Sequence, residues 1–375
     1  MSYLLALDQG TTSSRAIIFN ENGKVHATAQ RETHIKTPHS GWVEQDAQEI
    51  WTTQIAVVQQ AMASARILAK DIKALGLTNQ RETTVVWDKR TGTPLAPAII
   101  WQDRRAAEWC NSLLQNNKMN KIHKKTGLRI DPYFSAGKLV WLLQNIDGLR
   151  ELAQQGHVAF GTIDSWLIWN LTQGSQHVIE VSNASRTMLM NLETQQWDTE
   201  LLELFDIPRS VLPTIIRSDE YVANTAPGLL GAEIPIAGVM GDQQSALFGQ
   251  SCFEAGTAKN TYGTGCFMLF NTGEKLQYSQ NQLLTTLAWN CQNKTSYALE
   301  GSVFMAGAIV QWLRDGLGII KNSTEVEKLA CQVNSTDGVV LVPAFTGLGA
   351  PHWDTDARAL LCGMSRGTNK AHIAR

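Results

Sequence analysis

Two short Gly-Thr segments hold the residues best suited to gripping phosphate, Asp8-Gln9-Gly10-Thr11-Thr12-Ser13-Ser14-Arg15 and Asn260-Thr261-Tyr262-Gly263-Thr264-Gly265-Cys266-Phe267. A turn of this composition presents backbone N–H groups and hydroxyls with no bulky side chain in the way, which suits a nest of donors around phosphate oxygens. Two such turns facing each other would clamp a polyphosphate between them. Carboxylates stand nearby. Asp8 leads directly into the first turn, where it either serves the bound group or caps its own turn. Asp242, in Gly241-Asp242-Gln243-Gln244, either caps a helix or takes part in chemistry. Arg81-Glu82 sets a planar fork of donors beside an acceptor, which reads as a surface ion pair or as polar recognition at a strand end.

Each Gly-Thr turn must be held by strands. Leu4–Leu7 and Ala16–Phe19 flank the first, and a third strand around Val25–Arg31 follows the turn Glu21-Asn22-Gly23, giving an antiparallel meander. Asp46 is expected to cap a helix running through Trp51, Ile55, Val58 and Met62. Strands are expected at 72–77, 83–87 and 99–101, and helices near 104–118, 136–146, 149–155 and 164–170. Region 180–235 reads as loops and short helices punctuated by Pro208, Pro213, Pro227 and Pro235. From Ile236 the pattern restarts, with a strand to Met240 and a helix through Leu247 and Phe248. A second meander follows at 257–262, 266–271, 284–290 and 296–300, then a helix at 303–315 and a strand at 338–343. The recurrence of one device predicts two α/β lobes, 1–250 and 251–375. The second is about half of what duplication would give, and residues 369–375 read as the cap and first turn of a helix cut short.

Composition excludes several classes. With 32 basic and 34 acidic side chains there is no long-range field to recruit nucleic acid or an anionic membrane. The apolar run Leu4–Leu7 is too short for a membrane span, and no leader precedes it, so no membrane insertion is expected. Six cysteines without a C-x-x-C pair read as free thiols in a reducing cytoplasm, and the eight histidines never approach metal-ligand spacing. Twelve tryptophans suggest amphipathic or carbohydrate-facing surfaces as well as core.

The two turns on duplicated meanders resemble the actin-like ATPase (ribonuclease H-like) fold, whose two lobes of mixed β-sheet flanked by helices hold ATP in a cleft. Five segments in order, Leu7–Arg15, Thr78–Thr84, Ile130–Ser135, Gly241–Gly249 and Thr261–Phe267, are together similar to the FGGY family of carbohydrate kinases, and within it to the members that phosphorylate glycerol. Tyr133–Asn145, with Lys138 and Trp141, matches one family signature, and Ala359–Arg375 the opening of another. The resemblance spans the whole chain.

By that resemblance the activity is ATP-dependent phosphorylation of glycerol to sn-glycerol 3-phosphate in the cytoplasm, with ATP and Mg²⁺ and with a homo-oligomer, dimer or tetramer, as the expected assembly. Asp242 is implied as the base that accepts the alcohol proton, and Asp8 as the carboxylate serving magnesium through water. Arg81, Glu82, Tyr133, Asp242 and Gln243 would bind the polyol. Trp101 and Phe267 would wall its carbons, although each taken singly reads more readily as core than as a ligand contact. Thr11, Thr12, Ser13 and Thr264 are implied phosphate donors, Arg15 a stabiliser of charge on the transferred group, and Gly307 and Gln311 neighbours of the ribose, with helix packing and a solvated amide as the other reading of that last pair. The family's Gly-rich segment that completes the adenine pocket has no match here, so an open second lobe with exposed sheet, weak ATP affinity and little turnover are expected. The stretch Gly228–Glu233, used for regulation in relatives, carries no Arg or His, so neither effector nor histidine-phosphorylation control is expected. A kinase of another polyol or ketose, or a catalytically dead nucleotide-binding homologue, remains as an alternative.

Overall fold

The computed structural model describes residues 2–375. Period-two burial along β1 (Tyr3–Gln9) turns Tyr3, Leu5, Leu7 and Gln9 inward. β1 pairs antiparallel with β2 (Ser13–Asn20), and β2 with β3 (Val25–Glu32), so the first meander is present as read. On the other edge of β1 lies β4 (Ile72–Asn79), parallel to it. The short β5 (Ala223–Asn224) edges the sheet beside β6 (Pro235–Gly241), which is parallel to β4. The order across the sheet is β5-β6-β4-β1-β2-β3.

Helix α1 (Ala47–Ala65) packs against β1, β2 and β3, its buried stripe including Ile50, Val57, Val58 and Ala61. Asp46 caps it, the side chain accepting from the backbone N–H groups of Gln48 and Glu49. Three further helices position the candidate site: α2 (Ser135–Asn145), α3 (Val181–Ala184) and α4 (Asp242–Gly249). The second meander forms a separate antiparallel sheet from β7 (Ala258–Tyr262), β8 (Cys266–Gly273), β9 (Leu284–Cys291) and β10 (Lys294–Val303), in the order β7-β8-β10-β9. Helix α5 (Gly307–Asp315) follows.

Several local expectations need correction. The strand expected at 99–101 is only Ala98–Ile99, paired with Glu44–Gln45. The chain leaves it because Asp103 N donates to Ile100 O in a turn, while the buried Asp103 carboxylate receives Val43 N at 2.6 Å and the guanidinium of Arg105. That turn also delays the following helix to Ala107–Gln115, and a separate helix, Met119–Thr126, comes after it. The latter carries so few apolar residues that periodicity gives it no signal. A strand at Val158–Gly161 pairs with Val85–Asp88, so four consecutive buried residues there are sheet. β10 continues to Val303, which places the helix start at Gly307 instead of 303.

Two large cores result. One fills the space under the first sheet, with Leu5, Leu7, Ile18, Val57, Trp87 and Trp166 among its members. The other gathers helices of the first half around Tyr133, Phe134 and Leu139 and continues into Phe267, Leu284, Leu287, Tyr297 and Phe304 of the second half. The halves are therefore packed through shared apolar contact. At one junction Thr285 N donates to Gly127 O at 3.0 Å, and a Cβ on Gly127 (φ +70°) would lie 2.3 Å from Thr285 O, so only glycine fits. The outer face of the second sheet leaves Met268, Phe270 and Val303 exposed. Among the described residues no helix is long and apolar enough to cross a membrane, and all six cysteines are free.

Candidate active site

Backbone register brings the key segments together. Across the three parallel strands Gln9 is opposite Asn79, and Asn79 is opposite Gly241. The residues that follow these three positions, Gly10-Thr11, Gln80-Arg81-Glu82 and Asp242-Gln243, therefore emerge side by side at the carboxyl edge of the sheet. That edge is where open α/β sheets place their ligands. A cavity of about 170 Å³ lies here, and the second Gly-Thr turn contributes Thr261, Gly263, Thr264, Gly265 and Phe267 to its wall. Nine of the residues singled out from the sequence line it: Thr11, Arg81, Glu82, Trp101, Tyr133, Asp242, Gln243, Thr264 and Phe267.

Arg81 and Glu82 are buried, which removes the surface ion pair as an explanation of their adjacency. The Arg81 guanidinium donates through Nη1 to Glu300 Oε2 at 2.6 Å and to Gln244 Oε1 at 3.2 Å, and its Nε lies 3.4 Å from Asp242 Oδ1. Glu82 sits at φ +59°, a left-handed conformation that non-glycine residues seldom adopt. It is held there because its carbonyl accepts from Ser135 Oγ at 3.0 Å and its Oε1 from Arg186 Nε at 2.6 Å. Arg186 Nη2 also donates to Glu300 Oε1 at 2.8 Å. Two arginines and two glutamates thus alternate in one buried cluster, with Glu300 reaching in from β10 of the second sheet. Paired guanidinium groups hold the Glu300 carboxyl down to about 2 against its burial, and the same carboxylates hold Arg81 firmly charged. Among the described residues no hydrogen bond reaches Glu82 Oε2, so one oxygen remains for a ligand.

Asp242 is the first residue of α4, with Gly241 at the cap position, so capping does not account for the aspartate. Its Oδ1 accepts Gln243 N at 2.7 Å and faces Arg81, leaving Oδ2 open. Burial pushes the carboxyl up to about 6; the Arg81 charge opposes this and Glu82 reinforces it. The strand leading to it is pinned from below. Gly241 N donates to Ser182 Oγ on α3 at 3.0 Å, and Asn79 and Asn183 exchange side-chain amide hydrogen bonds at 3.0 and 3.2 Å.

Aromatic side chains close the remaining walls. Trp101 stands edge-on to Phe267 with centroids 5.7 Å apart and to Tyr133 at 6.0 Å, joining rings from both halves. Trp101 Nε1 donates to Thr11 Oγ1 at 2.9 Å, which orients that hydroxyl and leaves its proton free to donate. The backbone of the first turn closes through Gly10 N to Ser13 O at 2.9 Å, and of the second through Gly263 N to Gly265 O at 2.9 Å.

The other residues singled out lie outside this cavity. Asp8 and Arg15 face each other across the hairpin at 3.5 Å, and Ser13 Oγ accepts from Gln30 Nε2 at 3.1 Å. Thr12 and Gln311 are exposed. Gly307 opens α5 directly behind the second turn, its N–H donating to Gly263 O at 2.9 Å.

Residues 3–249 match the N-terminal domain, and residues 258–375 the C-terminal domain, of the FGGY family of carbohydrate kinases. The chain belongs to that family. It is 79% identical over 375 residues to a glycerol kinase of Acinetobacter baylyi, covering all of this chain and 76% of the relative. It is 58% identical over 373 residues to a glycerol kinase of Deinococcus radiodurans, covering 74% of that protein. The crystal structure of Plasmodium falciparum glycerol kinase with ADP superposes with a TM-score of 0.85 at 38% identity, over all of this chain and 75% of that one.

For an FGGY kinase, the donor set around Asp8 fits a magnesium ion. Mg²⁺ in nucleotide kinases takes one or two carboxylates and fills its shell with phosphate and water. Asp8 supplies one carboxylate with a partly exposed side chain; burial pushes its pKa up against the pull of Arg15, 3.5 Å away. Sequence reasoning missed Arg186 and Glu300, which lie 104 residues from Glu82 and 219 from Arg81 respectively. No local signal marks either one, because each is defined by a partner in another segment.

Proposed function

We propose that this FGGY kinase transfers the γ-phosphoryl group of ATP to glycerol, yielding sn-glycerol 3-phosphate. The observation that carries the reading is the convergence of Arg81, Glu82, Asp242 and the second Gly-Thr turn on one small cavity. At about 170 Å³ it lies well below the roughly 300–1,000 Å³ typical of drug-sized ligand sites, which favours a three-carbon alcohol. Glycerol offers only hydroxyls, and the cavity matches them with a cationic fork at Arg81, an open carboxylate oxygen at Glu82 and the amide of Gln243. Trp101 and Phe267 give its carbons apolar faces.

In this arrangement Asp242 Oδ2 accepts the proton of the attacking hydroxyl, and Arg81, held charged by Glu300, keeps Asp242 oriented through Oδ1. Thr11 and Thr264 donate to phosphate oxygens from the two turns, with Thr12, Ser13 and Arg15 extending the first turn's contacts and Gly307 and Gln311 lying toward the ribose. Magnesium held at Asp8 would neutralise phosphate charge. Lobe 1–250 carries the polyol site and the first phosphate turn, and lobe 251–375 the nucleotide side. The working compartment is the cytoplasm and the assembly a dimer or tetramer, as in the family.

The test is ADP release with MgATP and glycerol, xylulose or gluconate in parallel. Turnover with glycerol at a kcat/KM at least about 100-fold above the other two is expected, because a site with buried polar groups penalises ligands that leave them unpaired. Preference for a ketose or an acid would overturn the assignment.

A further inference from the structure

Lys259, on β7, belongs to no part of the mechanism above, yet it is buried against the active-site wall. Its Nζ donates to Gln243 Oε1, to Thr261 Oγ1 at 2.8 Å and to Phe267 O at 3.2 Å. All three partners belong to residues that line the cavity. Gln243 comes from α4 of the first half, whereas Thr261 and Phe267 come from β7 and β8. The ammonium therefore ties the polyol wall across the junction of the two lobes.

Chemistry makes this contact directional. A lysine ammonium has three hydrogens and no lone pair, so the three acceptors saturate it, and the Gln243 atom that faces it must be the amide oxygen. The amide is planar, with its NH₂ diverging from its oxygen. Among the described residues Gln243 Nε2 donates to no partner, and the residue borders the cavity. The group offered to a ligand is thus a donor. Among the described residues Lys259 is the one hydrogen-bond partner of the Gln243 side chain, so its removal takes away the bond that selects which end of the amide faces the cavity. Burial lowers the Lys259 pKa to about 8, and the charges facing it are those of Arg81, Glu300 and Asp242, so the protonated, triple-donor form is the one present at neutral pH.

We propose that Lys259 is a positioning residue for substrate recognition, fixing the Gln243 amide so that Nε2 donates to a hydroxyl oxygen of the acceptor alcohol. The inference rests on the polyol reading of the cavity. A double-mutant cycle on the full chain tests it, with K259M, Q243M and the double variant compared by initial rates at varied glycerol and varied ATP. K259M and Q243M should each raise KM for glycerol about tenfold or more, with KM for ATP little changed, and the double variant should be no worse than the poorer single one. Multiplication of the two KM effects, or an equal loss on the ATP side, would mean that Lys259 supports only the general packing of the junction. Thermal melts accompany the kinetics; if K259M does not fold, K259Q, which keeps an amide donor, replaces it in the same cycle. Failure of the unsubstituted chain to bind glycerol in calorimetry would remove the polyol reading itself, whereas normal glycerol binding with a multiplicative cycle would remove only the role of Lys259.

Discussion

Asp242 has one carboxylate oxygen tied to Gln243 N and Arg81 and the other open, with its pKa pushed up to about 6. Such a group is ionised at neutral pH and close enough to it to share a proton in flight. D242N should lower kcat by about 10²–10⁴ while leaving the melting temperature within a few degrees, since the isosteric amide keeps an oxygen for Gln243 N. The protonated acid cannot accept a proton, so kcat/KM of the unsubstituted chain should rise as pH increases through about 6 and then level off. A flat profile from pH 5 to 8 would exclude Asp242 as the base. The sequence made the Arg81-Glu82 pair visible as a donor fork beside an acceptor. It could not show that Arg186 holds Glu82 or that Glu300 holds Arg81, because those contacts join residues with no common local pattern.

Elements carry the site by their ends. β1, β4 and β6 each stop where a segment lining the cavity begins, and α5 starts against the second Gly-Thr turn. A Cβ added to Gly307 would meet Gly263 O at 2.7 Å, and that oxygen is backbone with no freedom to swing aside. G307A should therefore displace the Gly263-Thr264 turn and raise KM for ATP or lower kcat by up to about 10²-fold, with a smaller effect on KM for glycerol. Kinetics at varied ATP will decide it, and unchanged ATP parameters would show that α5 can retreat. At this scale the long, periodic elements were legible: both meanders, the Asp46-capped helix and the strand before Asp242. Val158–Gly161 and Met119–Thr126 were not, one because four apolar residues fit strand or helix alike, the other because its sequence has almost no apolar stripe.

The lobes meet through a shared apolar core and through the buried cluster of Arg81, Glu82, Arg186 and Glu300. Removing one charge from such a cluster leaves its partners buried and uncompensated, which typically costs about 3–5 kcal/mol. E300Q should lower the melting temperature by several degrees and weaken glycerol binding, since Arg81 loses its anchor. An unchanged melt would mean that the lobes hold together on apolar contact alone. The buried acids also set the pH dependence of stability. Burial raises Glu180 to about 7 and Asp164 to about 6, so the folded state binds their protons more tightly than the unfolded chain does. Stability therefore grows as pH falls from about 7 toward 4.5. Glu300 works in the opposite sense: its stabilising contribution is complete above its ordinary 4.5 and is lost as pH falls toward 2. Calorimetry between pH 3 and 8 should find a maximum near pH 4.5, and E180Q should flatten the decline on the neutral side. The family, the two-lobed architecture and the two Gly-Thr turns followed from the sequence alone, because they rest on short segments whose backbone and hydroxyl chemistry is local. Only the folded chain decided which charges neutralise Arg81 and Glu82, which way the Gln243 amide faces and how the lobes are joined. Those properties depend on distance in space between residues far apart in the chain, and on a burial that sequence spacing does not encode.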